Sequence, residues 1–343
     1  MFLSMHNWMR AEPIETTIRR LAKYGYNAIE ISGEPEKYNT KEVGRLLKEH
    51  KLTCWGSVSL MFAGRDLIHA DAQVRENSVK YIKDCITMVK ELAGHEMTIV
   101  PSQVGKVAAM DTPEQEWKWA VEGLREIYAH SEKAGVLMAL EPLNRFETNF
   151  LNRHDQALLL AAEVGANCGV CLDAFHINIE EADLHKAILE TGKKLVDFHV
   201  ADNNRMACGQ GDYDWPKLVK TLRQAGYNDA LTVEFVAPLD RTPANPYKNA
   251  MATADSELTA AQLKFIQDHG SGVLSDEFYS WLVELSAKTL RQAIAAANGG
   301  ARRPARKSAK GAKAPAKKSA KKAASKKVVS RTASKKVVSK ARR

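Results

Sequence analysis

Val136-Leu-Met-Ala-Leu-Glu141 is an apolar run that closes on a carboxylate, and the chain repeats this design downstream. Gly169-Val-Cys-Leu-Asp173, Leu195-Val-Asp-Phe-His199 and Leu231-Thr-Val-Glu234 are also short and strand-like, and each ends on a side chain that can bind a hard divalent cation. A segment of helical periodicity follows each run, directly or after a longer insertion. Chemistry at the C-terminal ends of successive strands is the arrangement of a (β/α)8 barrel. Two Glu, one Asp and one His make an oxygen-rich donor set with a single nitrogen. That set suits Mn²⁺, Co²⁺ or Mg²⁺ better than structural zinc, which prefers thiolates.

Working outward from these runs gives eight strand-then-helix units. The predicted strands are Phe2–His6, Ala28–Ile31, Thr53–Leu60, Met97–Pro101, Val136–Glu141, Cys168–Asp173, Leu195–Val200 and Ala230–Val236. The helix after the sixth strand is expected at Glu181–Thr191, and the last at Asp276–Ala296. Ile82, Ile86, Val89 and Leu92 recur at helical spacing. Gly25, Gly165, Gly192 and Gly226 sit where C-terminal caps belong. Strand–helix alternation favours a parallel sheet. Eight units within about 295 residues favour a closed barrel over an open doubly wound sheet. No G-x-G-x-x-G follows a strand, so a dinucleotide-binding fold has no support.

Charge divides the chain in two. Lys and Arg total 50 against 41 Asp and Glu, but 18 of the basic residues and none of the acidic ones lie in 301–343. Residues 1–300 therefore carry 32 basic against 41 acidic side chains, a net −9. The expected organisation is an α/β barrel domain over 1–298 and a disordered basic Lys/Ala-rich tail over 299–343. The tail carries the repeat Ala324-Ser-Lys-Lys-Val-Val-Ser-Arg-Thr332 and Ala333-Ser-Lys-Lys-Val-Val-Ser-Lys-Ala341 and has no aromatic residue. Such a tail is expected to contact nucleic-acid phosphates, or another polyanion, without sequence preference. An insertion over 237–275, with Pro238, Pro243 and Pro246 and a short helix at 260–268, is expected as a lid or interface element. Neither a signal peptide nor an apolar run of membrane-spanning length is apparent, so the expected location is cytoplasmic, with nucleoid association through the tail. The five scattered cysteines, including Cys168-Gly-Val-Cys171, read as reduced thiols in the core.

Longer blocks carry a resemblance. Glu141-Pro-Leu-Asn-Arg-Phe-Glu147-Thr-Asn-Phe-Leu-Asn152, Cys171-Leu-Asp173-Ala-Phe-His176, Phe198-His199-Val-Ala-Asp-Asn-Asn-Arg205 with Gly209-Gln-Gly211 and Trp215, and Val233-Glu234-Phe235 resemble the D-tagatose and D-psicose (allulose) 3-epimerases. These belong to the xylose-isomerase-like barrels. The resemblance implies that Glu141, Asp173, His199 and Glu234 bind one Mn²⁺ or Co²⁺ per chain, and that Glu147, His176 and Arg205 hold a sugar. Trp8, just past the first strand, is read as core or as an apolar wall for the sugar, and Glu30 as a further group facing the mouth. Arg205 has a rival reading, pairing with Asp202. A homo-oligomer is also expected.

These residue types suit epimerisation of a keto sugar. A metal on the carbonyl and neighbouring hydroxyl oxygens stabilises the enediolate left when the adjacent carbon loses its proton. Glu141 and Glu234 form the acid/base pair, one removing the proton and the other returning it from the opposite face. An aldose–ketose isomerase would return it to the neighbouring carbon. A lyase acting on 3-oxo-glycosides, like the C-glycoside deglycosidases, is the alternative. A three-zinc nuclease like endonuclease IV needs more His at the early strand ends, where Glu30-Ile31, Ser59-Leu60 and Val100-Pro101 stand instead.

Overall fold

Strands separated by crossover helices can pair only in parallel, and this chain repeats that unit eight times. The structure is a computed structural model that describes residues 1–62, 64–237, 242–247, 259, 260, 264 and 274–298. In chain order the elements are β1 (Phe2–Met5), α1 (Ile14–Lys23), β2 (Ala28–Ser32), α2 (Thr40–Glu49), β3 (Thr53–Val58), α3 (Ala72–Glu91), β4 (Glu96–Ile99) and α4 (Pro113–Ala134). They continue with β5 (Leu137–Leu140), α5 (His154–Val164), β6 (Cys168–Asp173), α6 (Ala174–Glu180), α7 (Leu184–Thr191), β7 (Leu195–Val200), α8 (Trp215–Gln224), β8 (Ala230–Val233) and α9 (Asp276–Asn298). The sheet order is β1-β8-β7-β6-β5-β4-β3-β2, all parallel. A bridge between His6 and Glu30 joins β1 to β2 and closes the ring. The fold is the (β/α)8 barrel expected from the sequence.

Local signals set the helices. Asp71 caps α3 by accepting from the Gln73 N–H at 2.9 Å. Thr112 caps α4, Pro113 fills its first turn, and Gly135 ends it at φ 73°. Ile82, Ile86 and Val89 are fully buried, so the apolar stripe of α3 faces the barrel. Gly165 is different from a left-handed cap. Its backbone is extended, and a Cβ there would stand 2.4 Å from the Tyr128 ring. Among the described residues no helix is long and apolar enough to cross a membrane.

The segment after β6 differs from the sequence expectation. Helix α6 starts at once, because Asp173 Oδ1 accepts from the Phe175 and His176 N–H groups at 2.5 and 3.1 Å. One residue thus ends a strand and caps a helix, and His176 sits on that helix rather than in a loop. The expected helix over 260–268 falls almost entirely outside the described residues, as does most of the 237–275 insertion. Within it, Tyr247 packs on Phe278 and Trp281 and donates to Gln210 Oε1 at 2.6 Å. The 299–343 tail lies outside the described residues.

The barrel interior is unusually polar for a region commonly filled with Val, Ile and Leu. Glu30, Glu96 and Asp197 are wholly buried there, with Thr98 and Thr232. Two register shifts serve this layer. One, between Ile29 and Glu30, leaves Trp55 without a partner across the ladder; the other, between Val170 and Cys171, does the same to Val196. Such bulges re-aim the residues beyond them. After the second, Asp197 stands opposite Cys171 and His199 opposite Asp173.

Two glycines give stability tests of opposite sign. A Cβ on Gly56 would lie 1.7 Å from Glu96 Oε1 and 2.5 Å from the Glu96 carbonyl oxygen. Gly56→Ala should therefore cost about 2 kcal/mol or more, at the upper side of overpacking. Gly44 lies inside α2 with nothing within 4 Å of its missing Cβ. Gly44→Ala should stabilise by ~0.5–1 kcal/mol through helix propensity. Denaturant midpoints of the two variants check both signs.

Candidate metal centre and pocket

Strand geometry brings the four strand-end residues together. Strands β5, β6, β7 and β8 are neighbours around the ring. Glu141 and Glu234 follow β5 and β8, and their N–H groups continue the ladder to the Ile99 and Val200 carbonyls at 3.0 Å each. One potential ligand atom from each of Glu141, Asp173, His199 and Glu234 lies within 4.8 Å of the others, and all four residues are buried. His199 Nδ1 stands 3.3 Å from Glu141 Oε1 and 3.2 Å from Glu234 Oε2.

The electrostatics of this cluster call for a cation. Burial raises the Glu141 pKa, and burial with repulsion from Glu234 and Glu141 raises that of Asp173 well above the usual range. Burial acts the same way on Glu234, but His6 and His199 outweigh it and hold Glu234 well below its ordinary value. Burial alone would depress His199, yet Cys171, Glu30, Glu141 and Glu234 around it raise it well above the imidazole range. Asp173 Oδ2 and both ring nitrogens of His199 are buried without a hydrogen bond of normal geometry. Unpaired buried atoms of this kind, in a set of four residues of which three are carboxylates, fit a hard divalent ion.

A cavity of about 350 Å³ opens above the cluster. Its polar end is Glu141, Glu147, His176, Arg205 and Glu234, and its far wall is Val58, Leu60, Met61, Phe62, Val100, Val104 and Leu143. Arg205 pairs with Glu147 at 2.6 Å and lies over the Phe175 ring at 4.9 Å. It does not pair with the Asp202 side chain, which instead accepts from Gly209 N–H at 2.7 Å and from Trp215 Nε1–H at 3.2 Å. Asp202 thus organises the Gly209-Gln-Gly211 loop, where a Cβ on Gly211 would stand 2.4 Å from Asp202 Oδ1. Arg205 has φ 61°, a conformation costing a non-glycine residue about 1–2 kcal/mol. Two backbone bonds hold it there: its N–H to Asp202 O and its carbonyl from Val236 N–H, both 2.8 Å.

Several participants carried no sequence signal. Asn144 donates its side-chain N–H to Glu147 Oε1 at 2.8 Å, and its backbone N–H donates to His176 Nδ1 at 3.2 Å. That bond makes Nδ1 the acceptor and leaves the proton on Nε2, which has no partner among the described residues. Trp8 lines the cavity as expected, but it also donates to Glu234 Oε1 at 2.9 Å. The five cysteines are free and buried. Cys171 reaches the cluster beside Glu141 and His199, with its thiol pushed well up by burial. Glu30 lies below the mouth, 3.3 Å from His199 Nε2.

A family model described as "Xylose isomerase-like TIM barrel" matches residues 18–261. The chain belongs to the xylose isomerase-like TIM barrel family. L-ribulose 3-epimerase of Mesorhizobium japonicum is 28% identical over 224 residues, 64% of this chain and 75% of that protein. The 3-dehydro-D-guloside 4-epimerase of Escherichia coli is 27% identical over 251 residues, 70% of this chain and 94% of that one. D-psicose 3-epimerase from Clostridium cellulolyticum, solved with D-tagatose, has a similar fold: TM-score 0.70, 22% identity, 86% of this chain and 99% of that chain. The resemblance to ketose 3-epimerases is borne out, and with it the reading of the chain as an isomerase of the sugar epimerase/isomerase class.

Burial and the nearby Arg205 lower the His176 pKa to about 4. The ring should therefore stay neutral through the physiological range. In ¹⁵N-histidine NMR, its signals should show no protonation step between pH 8 and 5. A midpoint near the ordinary value of about 6.5 would show that the ring is not shielded as the structure has it.

Proposed function

We propose that the chain epimerises a free keto sugar at C3 with the aid of one divalent metal ion, Mn²⁺ being the best match to the donor set. The observation that carries this reading is the buried Glu141–Asp173–His199–Glu234 cluster at the floor of a sugar-sized cavity. When bound there, the ion would polarise the sugar's carbonyl and neighbouring hydroxyl oxygens and so acidify the C–H between them. Glu141 and Glu234 approach from the ends of β5 and β8, with two strands between them. One takes the proton and the other returns it to the opposite face, which inverts the centre. His176 Nε2–H and Arg205, held by Asn144 and Glu147, orient sugar oxygens. The apolar wall excludes water from the reacting carbon. The lyase alternative has less support, since the relative acting on a 3-dehydro-glycoside is itself a 4-epimerase.

Elemental analysis should find one Mn²⁺ per wild-type chain and little in Asp173→Ala. With a ketohexose panel in D₂O, ¹H NMR should show exchange and inversion at C3. Glu141→Gln and Glu234→Gln should each lose more than tenfold in turnover, or ~1.4 kcal/mol of transition-state stabilisation. Wild-type turnover in either variant would exclude the two-carboxylate mechanism, and activity on 3-oxo-glycosides alone would favour the lyase.

The tail is proposed as a separate polyanion-binding element, since its 18 cationic side chains oppose a net −9 over residues 1–300. Removing 301–343 should leave sugar turnover unchanged and abolish DNA retardation in gels. Retardation by the full chain should weaken steeply with salt, by counterion release. A salt-independent shift, or one that survives truncation, would count against this role.

A further inference from the structure

His199 has a second side. Its Nδ1 faces the proposed metal cluster, while its Nε2 faces down the barrel, 3.1 Å from Asp197 Oδ2 and 3.3 Å from Glu30 Oε2. Asp197 precedes His199 by two residues on β7, so both side chains project to the same face of the strand. The other oxygen of Asp197 is anchored, accepting from Trp55 Nε1–H at 3.0 Å and from the Thr232 hydroxyl at 3.4 Å, while the Tyr227 hydroxyl 3.3 Å away gives its single proton to the Ala230 carbonyl at 2.5 Å. Glu30 has no comparable anchor, since neither of its oxygens makes a hydrogen bond. Asp197 Oδ2 likewise makes no hydrogen bond of normal geometry, and the ring nitrogen it faces, at 3.1 Å, is His199 Nε2.

We propose that Asp197, fixed by Trp55, is a positioning residue that holds the His199 proton on Nε2 and so presents the Nδ1 lone pair to the divalent ion. The proposal rests on the reading of Glu141, Asp173, His199 and Glu234 as a metal centre. A carboxylate behind a metal-binding imidazole fixes its tautomer and ring plane and raises its basicity, and losing such a partner costs 10–100-fold in metal affinity. Asp197→Asn is the diagnostic change because of the anchor. The indole N–H at the Oδ1 position can only donate, so the amide carbonyl must sit there. The amide NH₂ then faces His199 Nε2, which can meet it only as an acceptor. The ring proton is driven to Nδ1, where it competes with the ion.

The test is a Mn²⁺ titration of the full chain against a competing chelator, with Co²⁺ absorption spectra and ¹⁵N-histidine NMR of Mg²⁺-saturated protein. Asp197→Asn should bind Mn²⁺ 10–100-fold more weakly, with an altered Co²⁺ band. Its His199 should lack the protonated Nε2 seen in the wild type. Trp55→Phe, which loosens the anchor but leaves the carboxylate, should show a smaller loss of affinity with the Nε2 proton retained. Wild-type affinity and an unchanged Co²⁺ band in Asp197→Asn would overturn the positioning role while leaving the metal centre standing. Should Asp197→Asn fail to fold, undiminished affinity in Trp55→Phe would overturn it. A wild-type chain that takes up no Mn²⁺ would overturn the metal reading and this proposal together.

Discussion

His199 is wedged between two layers of buried acid, and much of the barrel is arranged around that stack. Above it are Glu141, Asp173 and Glu234; below it are Glu30 and Asp197, with Glu96 in the same lower layer. Two like charges at ~4 Å repel by about 4 kcal/mol at an effective dielectric near 20. A group of this size cannot be fully ionised without a compensating charge. His199, held well above the imidazole range, supplies part of it, while burial lowers the pKa of His6, edge-to-face on it with ring centroids 4.6 Å apart, to about 4. A divalent ion in the upper layer would supply the rest there, while burial keeps Glu30 and Glu96 toward their neutral forms.

A closed parallel sheet can carry so polar a centre because it satisfies its own backbone. The ladder runs through all eight strands, and the His6–Glu30 bridge completes it. The apolar burial that stabilises the fold lies largely between strands and helices, in residues such as Ile82, Ile86, Leu160 and Leu222, all fully buried. The inside of the ring is left free for chemistry. His6 and Glu30 show the coupling most directly: the pair that closes the barrel also touches the carboxylate and imidazole of the site, at 3.7 Å from Glu234 and 3.3 Å from His199.

Above the ring the loops divide the cavity into a reactive end and a passive one. Asn144, Glu147, His176 and Arg205 form one connected hydrogen-bonded chain over the cluster. Its left-handed residue, Arg205, is held by Asp202 on one side and Val236 on the other, so the loops after β7 and β8 are fixed to each other beside the four strand-end residues. The β3 and β4 loops contribute mostly apolar side chains and shape rather than charge. Relatives within one fold family can change substrate through such loops while keeping the strand-end residues.

The local pattern of the chain was enough for the eight strand–helix units, the closed barrel and the four strand-end residues, but not for α6, which starts on the cap that Asp173 provides. Apolar runs of strand length ending in Glu141, Asp173, His199 and Glu234 are short-range features, and their adjacency follows once eight parallel strands close. Trp8 was legible as a wall but not as the donor to Glu234, because that bond joins residues 226 apart in sequence. Asn144 lies in the Glu141–Asn152 block without a signal of its own, and Asp197 carries no motif; the contacts of Asn144 with His176 and of Asp197 with Trp55 form only when distant parts of the chain meet. The ladder offset at Trp55 decides which residue stands opposite Glu30 and that at Val196 which residues stand opposite Asp197 and His199, and a bulge depends on how two strands pair, which neither strand encodes alone. Sequence therefore determined the fold and the donor types, through local periodicity and residue chemistry. Tertiary structure decided the orientation of each donor, through contacts that exist only after the ring is closed.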